Sequence, residues 1–162
     1  YEISNWARGE HESEHNLQYW RNLPYLGFGA GAHGYADGTR YSNALRIQTY
    51  IDRLSKEGAK ANFPLSPAAV GKHLVSAEEA MQEHMMMGLR LTHEGVDKQI
   101  FYERFGIELS NVFSKEIDEL MKYGLLEWVE TKTSEISRVS EVLRLTKKAR
   151  ILGNQVFHRF VG

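Results

Sequence analysis

From Ser76 onward, apolar residues return at helical spacing and each run opens or closes on a capping signal, so this stretch has to fold as packed helices. Ser76 and Glu79 form a Ser-x-x-Glu capping box, in which hydroxyl and carboxylate each take an orphan backbone N–H. Behind it Ala77, Met81, Met85 and Leu89 repeat every four residues, with Gly88 allowing a close neighbour. Asp97 caps a second helix through Ile100, Phe101 and Phe105, stopped by Gly106. Ser110 caps a third, through Phe113, Ile117, Leu120 and Met121, ended by Gly124. Two strands, Leu125–Val129 and Val142–Leu145, flank a polar stretch from Glu130 to Glu141 and predict a hairpin with a long tip. Thr146 then caps a last helix with Ile151, Leu152, Val156 and Phe160 inward. Three helices, a hairpin and a closing helix predict a winged-helix-like module over residues 76–162.

The residues before it have another texture. Residues 1–43 are rich in Gly, His and aromatics, with strand-length segments at Tyr1–Asn5 and Tyr25–Ala32 and turn signals at Arg8-Gly9 and Asp37-Gly38. Two such strands cannot stabilise themselves and need another body to pack on. Over 44–58, Ile47, Tyr50, Ile51 and Leu54 mark one helix face, with Gly58 as its C′ residue. Residues 59–75, with Pro64 and Pro67, read as a connector.

Length admits one domain or two small ones sharing an interface. With 20 Lys and Arg against 21 Asp and Glu, the net charge is −1, which removes a global electrostatic case for nucleic acid. The absence of cysteine excludes disulfides, thiolate zinc sites, a Cys nucleophile and an iron–sulfur cluster held by this chain alone. No apolar run reaches membrane-span length. The chain, starting at Tyr1, reads as a soluble intracellular fragment.

Four constellations could carry chemistry. His11-Glu12-Ser13-Glu14-His15 satisfies the His-Glu-x-x-His zinc pattern, but its charged surroundings and the lack of a third ligand favour a solvated polar loop. As a DNA reader the module is poorly charged: Asn111–Tyr123 carries Lys115 and Lys122 against Glu116, Asp118 and Glu119. The basic residues between Arg138 and Arg159, net +5, span a strand and a helix and read as a solvated face. Leu26–Gly34 places small residues at alternate positions, which suits equally a ligand beside a strand or tight backbone packing. His15, followed by Tyr19 and Trp20, is a histidine beside aromatics, the residue types that can ligate and flank a haem.

Taken in order, Tyr1-Glu2-Ile3-Ser4-Asn5-Trp6-Ala7-Arg8, His15-Asn16-x-x-Tyr19-Trp20, Tyr25-x-Gly27-x-Gly29-Ala30-Gly31-Ala32-His33-Gly34, Glu83-x-Met85-Met86-x-Gly88-Leu89-Arg90 and Arg144-Leu145-Thr146 followed by Leu152-Gly153-Asn154 resemble the C-terminal part of the HemW family. These are radical-SAM haem chaperones related to oxygen-independent coproporphyrinogen III oxidase. The resemblance implies an α+β chain: the terminal strands of a radical-SAM partial barrel over 1–43, a helix and connector over 44–75, and a mainly α, winged-helix-like C-terminal domain over 76–162.

It also implies roles. His15 would ligate the haem iron, with Tyr19 and Trp20 as supporting aromatics, and Gly27, Phe28, Gly29 and Ala30 would lie on the S-adenosylmethionine side. S-adenosylmethionine and a 4Fe–4S cluster would belong to the full-length parent, whose cluster cysteines this chain lacks, so the fragment alone would not be catalytic. Partners would be haem and haem-acceptor proteins, in the cytoplasm, with no nucleic acid; a dimer is left open. The alternative is radical decarboxylation of coproporphyrinogen, although Asn16-Leu17-Gln18-Tyr19-Trp20 departs from the oxidases' segment. The family's Arg-Pro-Gly is here Arg8-Gly9-Glu10, and a Gly near its last helix is Ala149.

Overall fold

The structure, a computed structural model, describes residues 1–133 and 138–161. The chain is mixed α/β and divides into two compact units, Tyr1–Asn22 with Ala77–Gly162, and Leu23–Ser76. This partition by contact runs differently from boundaries at 43 and 75, because Tyr1–Asn22 packs with the C-terminal helices.

In the larger unit, α1 (Glu14–Trp20) precedes α3 (Ala77–Gly88), β4 (Val96–Asp97), α4 (Lys98–Phe105), α5 (Leu109–Lys122), β5 (Leu126–Thr133), β6 (Arg138–Leu145), a 3₁₀ helix (Lys147–Leu152) and α6 (Gly153–Phe157). Helix α3 begins directly after Ser76, and its Met85, with Leu89 just beyond, is fully buried. Gly88 is required there: a Cβ on it would sit 2.7 Å from the Val96 side chain. Asp97 caps α4, its Oδ1 accepting the N–H groups of Gln99 and Ile100 at 2.8 and 3.0 Å, and Gly106 ends it in the left-handed region at φ 70°. Both signals were legible because they are local.

The third helix differs from expectation. It starts at Leu109, after Glu108 and without a side-chain cap, and Phe113 interrupts it at φ −122°, so Ser110 lies inside it. Phe113, Ile117 and Leu120 still face the core. Strands β5 and β6 run further than Leu125–Val129 and Val142–Leu145, pairing antiparallel from Leu126↔Leu145 to Thr133↔Arg138. Short β4 adds to β6 in the order β4-β6-β5. Residues 134–137 of the expected tip lie outside the described residues. Thr146 precedes the 3₁₀ helix but donates its hydroxyl to the Gly124 carbonyl, 2.9 Å away, instead of capping it. The tighter 3₁₀ winding turns Ile151 outward, leaving it 90% exposed, whereas Val156 and Phe160 are buried as expected. The core gathers Met85, Leu89, Val96, Phe101, Leu143 and Phe160 between the helices and one sheet face.

The smaller unit is a meander, β1 (His33–Ala36), β2 (Thr39–Asn43) and β3 (Ala69–Leu74), antiparallel in the order β1-β2-β3. Asp37 and Gly38 join β1 to β2 with φ 48° and 65°, the two positive values that a two-residue I′ hairpin demands. Strand β3 lies within residues 59–75, read as a connector. Tyr25–Ala32 is no strand: Tyr25 makes one bridge to Tyr35, after which Gly29 and Gly31 take φ 102° and 72° and turn the backbone out of extension. Helix α2 (Ile47–Ser55) is shorter than 44–58 and ends before Gly58. Its apolar face is exposed at Ile47, Ile51 and Leu54. Polar groups attach it instead: the Tyr50 hydroxyl accepts the Gly29 N–H, and Arg53 donates to the carbonyls of Pro67 and Ala69.

Candidate haem-holding site

Three of the recognised segments meet at one place in the larger unit, around Trp20. Helix α1 brings the first. Ser13 caps it, its hydroxyl accepting the Asn16 N–H at 3.3 Å, and Leu17 anchors its inner face. Since α1 begins at Glu14, His11 lies before the helix and does not share a face with His15. Among the described residues no three of His, Cys, Asp and Glu gather to hold an ion. The motif around His15 is helical, not the polar loop expected. Before it, the His11 N–H closes a turn on the Arg8 carbonyl at 3.0 Å. In that turn Glu10 occupies φ 66°, a conformation costing a non-Gly residue about 1–2 kcal/mol.

His15 is exposed, and its Nε2 lies 3.1 Å from the hydroxyl of Tyr19, one helical turn on; the two rings are edge to face at 4.9 Å. Tyr19 and Trp20 are half-buried. The guanidinium of Arg90 stacks 4.6 Å over the Trp20 ring and 5.5 Å from that of Phe157, on α6. Arg90 is held from behind by Glu2, whose Oε1 it meets at 2.8 Å. The other carboxylate oxygen, Oε2, accepts from the Ser4 N–H, the Ser4 hydroxyl and the Asn5 amide at 2.7 to 2.8 Å. Burial alone would push the Glu2 carboxyl up. These hydrogen bonds and the Arg90 charge outweigh it, so the group is held below its ordinary 4.5.

The backbone reinforces the same junction. Ile3 donates to the Arg90 carbonyl at 3.1 Å and Thr92 to the Tyr1 carbonyl at 2.9 Å, so Tyr1–Asn5 lies along the exit of α3. Sequence reading missed Glu2 and Arg90 as site residues, although both stand within segments that carried the resemblance. The signal was a lone carboxylate and a lone guanidinium in two apolar segments, 88 residues apart.

Two hollows open on this cluster. One, of about 250 Å³, is lined by Trp20, Met86, Met87, Arg90, Phe157 and His158, with Asn154 at its edge; the other, of about 380 Å³, by Asn5, Asn16, Tyr19, Trp20 and Met87. Their walls combine aromatic and thioether side chains with the polar groups of Asn5, Asn16, Arg90, Asn154 and His158, a mixture open to a flat ligand with an apolar face and a polar edge. The buried indole N–H of Trp20 has no hydrogen-bond partner.

Gly27, Phe28, Gly29 and Ala30 belong to the smaller unit. Gly27 is packed, since a Cβ on it would fall 2.0 Å from the His33 carbonyl oxygen, and its own N–H donates to the Tyr41 hydroxyl at 3.0 Å. The Asn43 amide donates to the carbonyls of Gly27 and Gly29, both at 3.1 Å. Phe28 is 83% exposed and Ala30 half-buried.

The family model described as the HemN C-terminal domain matches residues 75–130. "Heme chaperone HemW" of Bacillus subtilis (strain 168) is 40% identical over 162 residues, covering 100% of this chain and 38% of that protein. The same-named protein of Lactococcus lactis subsp. lactis (strain IL1403) is 30% identical over 161 residues, 99% of this chain and 37% of its own length. The chain thus spans about two fifths of the length of these relatives. Among solved structures, that titled "Coproporphyrinogen III oxidase (HemN) from Escherichia coli is a Radical SAM enzyme" shares the fold, with a TM-score of 0.57 over 85% of this chain and 28% of its own, at 14% identity. By sequence along its whole length, the chain belongs to the HemW family, in the part that carries the HemN C-terminal domain.

Proposed function

We propose that this chain holds haem for a HemW-type chaperone, which passes it to acceptor proteins. The observation that carries the reading is the meeting of Tyr19, Trp20, Arg90 and Phe157 around two hollows, with His15 exposed beside them on α1 and its Nε2 3.1 Å from the Tyr19 hydroxyl. The chain's own residues supply what a transient haem site needs: an exposed imidazole for iron on His15, aromatic faces on Tyr19 and Trp20 for the macrocycle, and the Arg90 guanidinium for a polar edge. S-adenosylmethionine and the 4Fe–4S cluster belong, in this reading, to the longer protein, with the loop Gly27–Ala30 facing the former and residues 1–43 leading from its partial barrel. The order α3-β4-α4-α5-β5-β6 is that of a winged helix, used here as a scaffold and not as a nucleic-acid reader. Helix α5 has a net acidic surface, with Glu116, Asp118 and Glu119 against Lys115 and Lys122. We place the protein in the cytoplasm; among the described residues no helix is long and apolar enough to cross a membrane.

The test is transfer. Full chain loaded with ferric haem is mixed with apomyoglobin, and the absorption change is followed against haem released from buffer alone. Saturable transfer whose rate depends on the loaded chain is expected. Transfer no faster than from free haem, or conversion of coproporphyrinogen to protoporphyrinogen by the reconstituted longer protein, would contradict the chaperone reading.

A further inference from the structure

Helix α1 sets His15 and Tyr19 one turn apart, so the two side chains meet on one helix face. The Tyr19 hydroxyl lies 3.1 Å from Nε2 of His15, and the rings stand edge to face with an interplanar angle of 84°. Nε2 is the nitrogen suited to an iron already held in a porphyrin. Nδ1 lies next to the ring carbon that carries Cβ, and a flat macrocycle bonded there would run into the residue's own backbone. The lone pair that iron would need therefore faces a hydroxyl. Of the two groups the phenol O–H is the stronger donor and the imidazole nitrogen the stronger acceptor, so the hydrogen bond runs from Tyr19 to His15. Tyr19 also lines the hollow of about 380 Å³ together with Asn5 and Asn16, which gives its hydroxyl a second position beside two side-chain amides.

We propose that the Tyr19 hydroxyl is a displaceable cap on His15 Nε2, holding that nitrogen in the haem-free chain, yielding it to the iron on loading and retaking it on release. The inference rests on the haem reading and gives Tyr19 a role beyond its ring face. The hydrogen bond has to break before nitrogen can bind iron, so loading loses it and release regains it. The pair is exposed and one helical turn apart, which makes the bond weak. It therefore shifts the balance toward release a few fold without preventing loading, a setting that suits a protein that hands its cargo on.

The test is Tyr19→Phe, which keeps the ring and removes only the hydroxyl, with two readouts. In the haem-free full chain, nitrogen NMR of the neutral His15 ring, assigned by its loss in His15→Ala, is expected to show the Nδ1–H tautomer in the parent. In Tyr19→Phe it is expected to show the Nε2–H tautomer that an unengaged histidine prefers. Titrated with ferric haem, Tyr19→Phe is expected to bind about threefold more tightly than the parent, with the same Soret position, and to pass haem to apomyoglobin correspondingly more slowly. The same tautomer in both chains overturns the proposal, as does equal or weaker haem affinity in Tyr19→Phe. If His15→Ala weakens binding and Tyr19→Phe leaves it unchanged, the cap fails and the haem reading stands. If all three chains bind haem alike, the haem reading of the site fails and the cap with it.

Discussion

Replacing Glu2 by Gln is expected to cost the larger unit about 3 kcal/mol, seen as a lowered urea midpoint with an unchanged denaturant slope. The Glu2 side chain is 0% exposed and Arg90 only partly so. Removing the negative partner leaves a guanidinium facing a neutral amide in a place where water cannot compensate it. Oε2 accepts three hydrogen bonds, which a Gln carbonyl could keep, so the loss reports the ion pair and not the Ser4–Asn5 turn. The effect should reach the candidate site. Arg90 is stacked on Trp20, and once it is no longer held by Glu2 the indole loses its cover, so its fluorescence should shift to longer wavelength even at temperatures where the fold persists. The pH dependence has a definite sign. A carboxyl held below 4.5 contributes stability that is present above that value and is lost as pH falls through the lowered pKa. An unchanged urea midpoint in Glu2→Gln would show that the pair is not integral to the junction.

The second large effect belongs to His84, buried on α3 with its ring 5.7 Å from Phe101 and 5.6 Å from Phe105. Burial first, and then the positive charge of Arg104, lower its pKa from 6.5 to about 4. The neutral ring can accept from Arg104, whose Nη1 lies 3.2 Å from Nδ1, while Arg104 Nη2 donates to the Asn22 carbonyl at 2.9 Å. His84 thereby helps hold the turn that ends α1. In the unfolded chain the imidazole takes a proton near pH 6.5, whereas the folded chain resists it until about pH 4. Stability is therefore full above the first value and falls through that window by about 3 kcal/mol. His84→Gln keeps an acceptor for Arg104 and cannot titrate. Chemical denaturation from pH 7 to 4 is expected to show a steep decline in the parent chain and a much shallower one in the variant. Parallel declines would remove His84 as the cause. The Glu2 effect begins only below pH 4.5, so the decline between pH 6.5 and 4.5 belongs to His84 alone.

What the sequence disclosed and what it hid follow from the range of the interactions. Asp97 and Gly106 announced the ends of α4 because a cap is made within three or four residues. Asp37-Gly38 announced its hairpin for the same reason. Tyr25–Ala32 misled because alternating small and apolar residues resemble a strand. Its glycines are held by the side chains of Tyr41, Asn43 and Tyr50, 14 to 21 residues away, contacts that local spacing does not reveal. Strand β3 was hidden just after Pro64 and Pro67 because only its pairing with β2 makes it a strand. Ile47, Ile51 and Leu54 do form one helix face, but α2 is fixed by Tyr50 and Arg53, and spacing cannot say which face of an amphipathic helix is used. In the site, His15, Tyr19 and Trp20 were visible as one motif on a single turn. Met87, Arg90 and Phe157 come from two other segments and Glu2 from a third, and only the packed chain shows that the first three line one hollow with Glu2 behind Arg90.

The most direct measurement is an optical titration of ferric haem into the full chain and its His15→Ala variant, at a pH where His84 is neutral in both folded and unfolded forms. His15 is exposed on α1 and makes no core contact on which the fold depends, so the variant should remain folded by circular dichroism. The account predicts a shifted Soret band with saturable binding in the parent chain, and in the variant loss of that band position with affinity weakened at least about tenfold. An identical band and identical affinity in the two proteins would contradict it.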